Sequence, residues 1–160
     1  MSIRSEALAQ RVLEGHQRLI DFIEGCSDEG WVTLVPNEER PVGVITHHVA
    51  SMLTIEADFI KMLASGKAIT EITDLDVHQM NAQHAEVNVD RTKEETLVLL
   101  KHNSDLAIAT IRELNDEQLD SVSPISLHWN APLSTQYFIE EHPLNHSYHH
   151  LDSIRTVLNS

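Results

Sequence analysis

An all-α fold, a four-helix bundle, is what this sequence predicts, and three observations carry the prediction. Apolar residues recur at three- and four-residue spacing over four stretches of about 20 residues each. Between them lie segments carrying Asp, Gly, Pro, Asn and Ser, the residues of caps and turns. No stretch has a convincing strand pattern. At 160 residues the chain suits one bundle, and a single domain over 1–160 is expected.

The first helix is read from Ile3 to about Gly25, with Leu8, Val12, Leu19 and Ile23 on one face. His16 falls inside that apolar sector and is expected to be a core histidine bonded to a neighbour. Ser27 to Arg40 reads as a loop whose Trp31 packs back on the bundle, and Cys26 as a small buried residue near a helix end. Pro41 suits the first position of a second helix that runs to about Ala64 and ends at Ser65-Gly66. On its wheel Val44, Ile45, Met52, Ile55, Phe59, Met62 and Leu63 lie within about 60° of His48, so His48 sits in the middle of the buried stripe. His47, rotated by about 100°, belongs at the edge or in solvent.

Residues 67–91 form a long connection with a short helix near Val77 to Glu86. A link of that length suffices for a crossover that leaves the second and third helices parallel, which predicts an up-down-down-up order. Thr92 and Glu95 make a capping box for the third helix, which buries Leu97, Leu100, Ser104, Ile108 and Ile111, leaves His102 in solvent and ends near Leu114-Asn115. After a helical turn at Asp116 to Leu119, residues 121–134 read as a second long loop in which His128 and Trp129 cap the core. Ser134 caps the last helix, whose end buries Leu151, Ile154 and Leu158.

That last helix carries HPLNHSYHH, residues 142–150. His142, His146 and His150 follow one another by single turns, and an i, i+4 pair of imidazoles presents two nitrogens to one point beside the helix, the geometry by which H-E-x-x-H binds zinc. Pro143 has no N–H for the ladder and disturbs the helix next to His142, so His146 and His150 are the preferred pair. His149 points elsewhere and is a rim residue. A histidine in the apolar stripe of another helix has nitrogens that a metal ion would satisfy, which makes His48 the third candidate.

Composition excludes several classes. Eleven Lys and Arg against twenty-five Asp and Glu give a net charge of −14, which repels nucleic acid and anionic membrane surfaces. One cysteine allows no internal disulfide, and neither a signal peptide nor a membrane span is legible. A soluble, cytoplasmic protein is expected, with a small-molecule substrate, no nucleic-acid or membrane partner, and a homodimeric state.

The Trp-containing loop, His48-Val49 in the second helix, MNAQH before a capped third helix, RELNDEQLD at that helix's end and the late NHSYHH together resemble the DinB-like or YfiT-like metalloenzymes over nearly the whole chain. The resemblance implies an up-down-down-up bundle binding one divalent metal through His48, His146 and His150; affinity order would let zinc, nickel or cobalt occupy such imidazoles, zinc or nickel being expected first. Members of that family include transferases and isomerases that use a low-molecular-weight thiol, and proposed hydrolases. Where the family often follows its last histidine with Arg-Gly-Gln, this chain has Leu151-Asp152-Ser153. A metal-dependent transferase or hydrolase is therefore the leading functional expectation. A non-catalytic metal-binding or stress-response bundle is the alternative, and a metal-free dimerising bundle a third. A di-iron centre is disfavoured because no Glu-x-x-His pair recurs on two helices.

Overall fold

The computed structural model describes residues 2–159. Its frame is four long helical segments: α1 (Ile3–Glu24), α3 (Val42–Ala64), α5 (Lys93–Arg112) and a last segment formed by α7 (Thr135–Ile139), a π-helical turn (Glu140–Leu144) and α8 (Asn145–Leu158). Short elements join them: α2 (Asp28–Val32), β1 (Leu34–Val35), β2 (Arg40–Pro41), α4 (Asp74–Val87), α6 (Asp116–Asp120), β3 (Val122–Ile125) and β4 (Ala131–Ser134).

Helix starts follow the sequence chemistry. Capping boxes hold α1, α4, α5 and α6, with Thr92 and Glu95 reciprocally bonded at α5 as expected. Pro41 is the residue before α3, not its first residue; it closes β2 against Leu34, and its fixed backbone turns the chain into the helix. Pro143 does disturb the last helix, which absorbs the missing N–H as a π turn.

Contacts between the helix ends fix their directions. Arg112 bonds Glu6 while Lys93 Nζ reaches the Cys26 carbonyl, so α5 runs against α1. Asn103 Nδ2 donates to the Ala50 carbonyl and Ser121 Oγ to that of Leu63, so α5 runs along α3. His150 lies beside His48 and Phe138 beside Phe59, so the last segment opposes α3. It lies close against α1 at Gly15, where a Cβ would stand 2.8 Å from Tyr148 Cε2.

The core is two apolar clusters. Leu8, Val12, Ile60, Leu63, Ile108, Ile111 and Ile139 build one; Leu19, Ile23, Ile45, Leu53, Leu100, Leu151 and Ile154 build the other. In passing from one to the other the helices contribute buried polar residues: His16 on α1, Glu56 on α3, Asn103 and Ser104 on α5, Ser147 on α8. Polar groups taken out of water need partners, and this layer supplies some of them, as where His16 Nδ1 meets Ser104 Oγ at 2.7 Å. His16 is the bonded core histidine expected of it.

Four expectations need correction. The loop read over residues 27–40 contains α2 and a two-stranded ribbon, and the crossover helix α4 begins at Asp74 and not near Val77. Residues 121–134 are a β-hairpin, β3 with β4, in which Pro124 opposes Pro132. Prolines demote a strand reading, but this ribbon is bridged on its β3 side only at Ile69, whose N–H donates to the Pro124 carbonyl, so no N–H is asked of either proline there. Finally, Trp129 does not cap the core: it stands 91% exposed at the hairpin tip, held out by a left-handed backbone that continues into Asn130.

Candidate metal centre

His48 comes from the buried face of α3, two turns into the helix, and is itself buried. His146 and His150 come from the first turns of α8, just beyond the π turn, and face it across the bundle. His146 Nε2 lies 3.2 Å from His48 Nε2. One ligand atom from each of His48, His146 and His150 falls within 4.8 Å of the other two. The His48 ring stands nearly perpendicular to both partners, at centroid distances of 5.1 and 5.5 Å.

Two carboxylates orient the α8 pair. His146 Nδ1 lies 2.9 Å from Glu56 Oε1, and His150 Nδ1 lies 2.8 Å from Glu38 Oε1. An ionised carboxylate accepts only, so each Nδ1 carries the proton and each Nε2 keeps its lone pair for the common point. Two nitrogens about 2.1 Å from one ion in tetrahedral arrangement are separated by roughly 3.4 Å, close to the His48–His146 spacing. The donor set therefore fits a single divalent ion. Electrostatics agree, because metal ligation needs neutral imidazole. Burial, then the neighbouring His146 and His150, push His48 down to about 2, and burial outweighs Glu38 in lowering His150.

Glu38 is itself drawn down to about 2: burial opposes its charge, but His150 and Arg40 outweigh that, with Arg40 Nη2 2.7 Å from Glu38 Oε2. Glu56 is lowered likewise, against its complete burial, by His146, His142 and His16. Two further groupings, Glu38–His149–His150 and Glu56–His142–His146, are compact enough for a metal. Their carboxylates, however, already serve as acceptors for the α8 imidazoles through Nδ1, which leaves the Nε2 atoms of His146 and His150 without a carboxylate partner.

The rest of the histidines sort clearly. His149 is exposed beside His150, His142 stacks on His146, and both line the cavity above the cluster. His128 belongs to the hairpin and pairs with Glu141 at 3.3 Å. His47 is at the edge of the stripe, half-buried, with Nδ1 2.9 Å from His84 Nε2 of α4. Sequence reasoning missed Glu38, Arg40, Glu56 and His84. Only Glu56 left a legible signal, a carboxylate about 80° from His48 on a helix wheel that is otherwise apolar there.

The cavity holds about 500 Å³. Its floor is His48, His142, His146 and His150, and its walls come from α3, α4 and the β3–β4 hairpin.

Fold and site together define a four-helix bundle with a three-histidine cluster that could hold a divalent ion at the base of a cavity. Among solved structures the chain is similar to YfiT from Bacillus subtilis, described as a probable metal-dependent hydrolase with an unusual four-helix bundle topology. The two agree with a TM-score of 0.75 and 16% sequence identity, over 98% of this chain and 87% of that one. The likeness establishes the four-helix-bundle fold. No protein-family model matches the chain, and no curated protein matches it. No helix among the described residues is long and apolar enough to cross a membrane.

Proposed function

We propose that this protein is a metal-dependent enzyme acting on a small molecule, with His48, His146 and His150 as ligands of one zinc or nickel ion. The observation that carries the reading is the pairing of ring nitrogens 3.2 Å apart with a buried carboxylate behind each α8 imidazole. Three neutral imidazoles leave coordination positions open, and an ion so held supplies a Lewis acid to a bound substrate. Glu56 and Glu38 fix the ring orientations, and the cavity walls restrict water around the reacting group.

Hydrolysis is the favoured reaction class, in line with the description of YfiT; transfer to or from a low-molecular-weight thiol is the second. A non-catalytic metal store is disfavoured by the chamber itself, since storage needs no apolar cavity of about 500 Å³ above the ligands.

The test is elemental analysis of protein freed of any histidine tag, beside the His48→Ala variant. About one divalent ion per chain in the wild type and none in the variant supports the reading. A wild type that takes up no zinc or nickel overturns it.

A further inference from the structure

The cavity above the histidines is apolar along its walls, where Met52, Ile55, Phe59, Ile72, Met80 and Leu127 meet. Its charged lining is sparse. Among the described residues that line it, Arg40 is the only Lys or Arg and Asp76 the only carboxylate. Asp76 is committed elsewhere: its Oδ2 accepts from the backbone N–H and the hydroxyl of Thr73 at the start of α4, at 2.8 and 2.6 Å.

Arg40 is committed only in part. It sits at the end of the β1–β2 ribbon, just before α3, with its side chain 15% exposed. Nη2 is 2.7 Å from Glu38 Oε2, and Nη1 is closed off from solvent with no acceptor. A buried guanidinium donor without an acceptor is costly, and a small turn of the group toward the cavity would let an anion accept from it. Glu38 offsets part of the charge, but its second oxygen accepts from His150 and leaves Nη1 without an acceptor. Asn81 of α4, on the same cavity wall, also has a buried Oδ1 without a partner. Apolar walls with a few convergent polar groups are the form of a site that orients one end of a ligand.

We propose that the cavity takes a small molecule with an apolar body and a single anionic group, and that Arg40 holds that group beside the three histidines. The inference deepens the proposed function by naming the substrate class, yet it stands on Arg40 and not on the ion. Arg40 is a specificity-determining residue here: it selects anionic over neutral or cationic ligands of equal shape.

The experiment is calorimetric titration of 4-phenylbutyrate, 4-phenylbutan-1-ol and 4-phenylbutylammonium into the protein, once loaded with zinc and once stripped of metal. The carboxylate is expected to bind at least ten-fold more tightly than the alcohol in both preparations, and the ammonium ion not at all. In the metal-stripped protein, where no ion can hold the carboxylate, Arg40→Gln should bring the carboxylate to the affinity of the alcohol and leave the alcohol unchanged. Glu38→Gln, which keeps Arg40 and removes the negative charge beside it, should tighten the carboxylate. Equal affinity for carboxylate and alcohol, no binding of any of the three, or a metal-stripped Arg40→Gln variant that still prefers the anion overturns the proposal. So does a Glu38→Gln variant that loses the preference, should Arg40→Gln not fold. A protein that takes up no zinc but binds the carboxylate through Arg40 removes the metal reading and keeps this one. Zinc uptake with a charge-blind cavity does the reverse.

Discussion

Glu56 stands directly behind His146, its Oε1 2.9 Å from Nδ1 and the carboxylate wholly out of contact with solvent. A buried charge is retained only where its surroundings compensate it, and here an imidazole N–H does so while the ring's far nitrogen faces His48. Glu56→Gln keeps the volume and removes the charge. It should weaken zinc binding by roughly 10- to 100-fold, the usual effect of losing a ligand's supporting carboxylate. Calorimetric titration of zinc into apo protein measures this, and an affinity equal to wild type would show that Glu56 does not support the ligand.

His48 and His47 are adjacent in sequence and different in role. His48→Ala leaves the ion with two protein ligands and should abolish tight zinc binding. His47→Ala should leave zinc affinity within a few-fold, but it deprives His84 of a partner whose Nδ1 already has none. It should therefore lower stability by about 1–2 kcal/mol. Equal zinc affinity of wild type and His48→Ala would remove His48 from the ligand set.

The metal-free protein should lose stability on acidification. Burial outweighs the attraction of Glu56 and carries His16 from its ordinary 6.5 down to about 4. Between those values the unfolded chain binds the proton and the folded one does not, so stability falls as pH drops below 6.5 and the loss is complete near 4. For a shift of that size the contribution is about 3 kcal/mol. Glu38, with a folded value of about 2 against 4.5, adds a second loss as pH falls from 4.5 toward 2. Urea denaturation of apo protein across pH 4 to 7 checks the first window; a flat profile there would contradict a neutral, buried His16.

Gly43 lies under the Trp31 indole, where a Cβ would come within 2.6 Å of ring atom Cε2. Gly43→Ala must displace the ring and with it the bond from Trp31 Nε1 to the Arg91 carbonyl. A cost of about 1–3 kcal/mol is expected from such overpacking, read by denaturation, with zinc affinity unaffected. An unchanged midpoint would mean that the indole moves aside freely.

The bundle and the three-histidine cluster were legible because periodicity encodes them. A helix fixes direction at about 100° per residue, so His48, His146 and His150 could be placed on inward faces from spacing alone. Arg40 and Glu38 could not, since they lie in a short ribbon and its turn, where position follows from backbone geometry set by partners distant in sequence. The hairpin escaped for a related reason: four-residue strands containing Pro124 and Pro132 carry too short an alternation to be seen above turn chemistry. Trp129 was misplaced because an aromatic's usual burial yields to a left-handed turn that points it outward. The edge position of His47 was legible from its own helix, but its partner His84 belongs to another.

The crossover helix α4 walls the cavity with Asp76, Val77, Met80 and Asn81, yet none of its 14 residues is buried. A segment that hides so little apolar surface has little free energy holding it closed and is expected to open independently of the frame. Its amides should exchange with deuterium well before those of α3, and such brief openings give a ligand passage to the histidines without disturbing the four long helices.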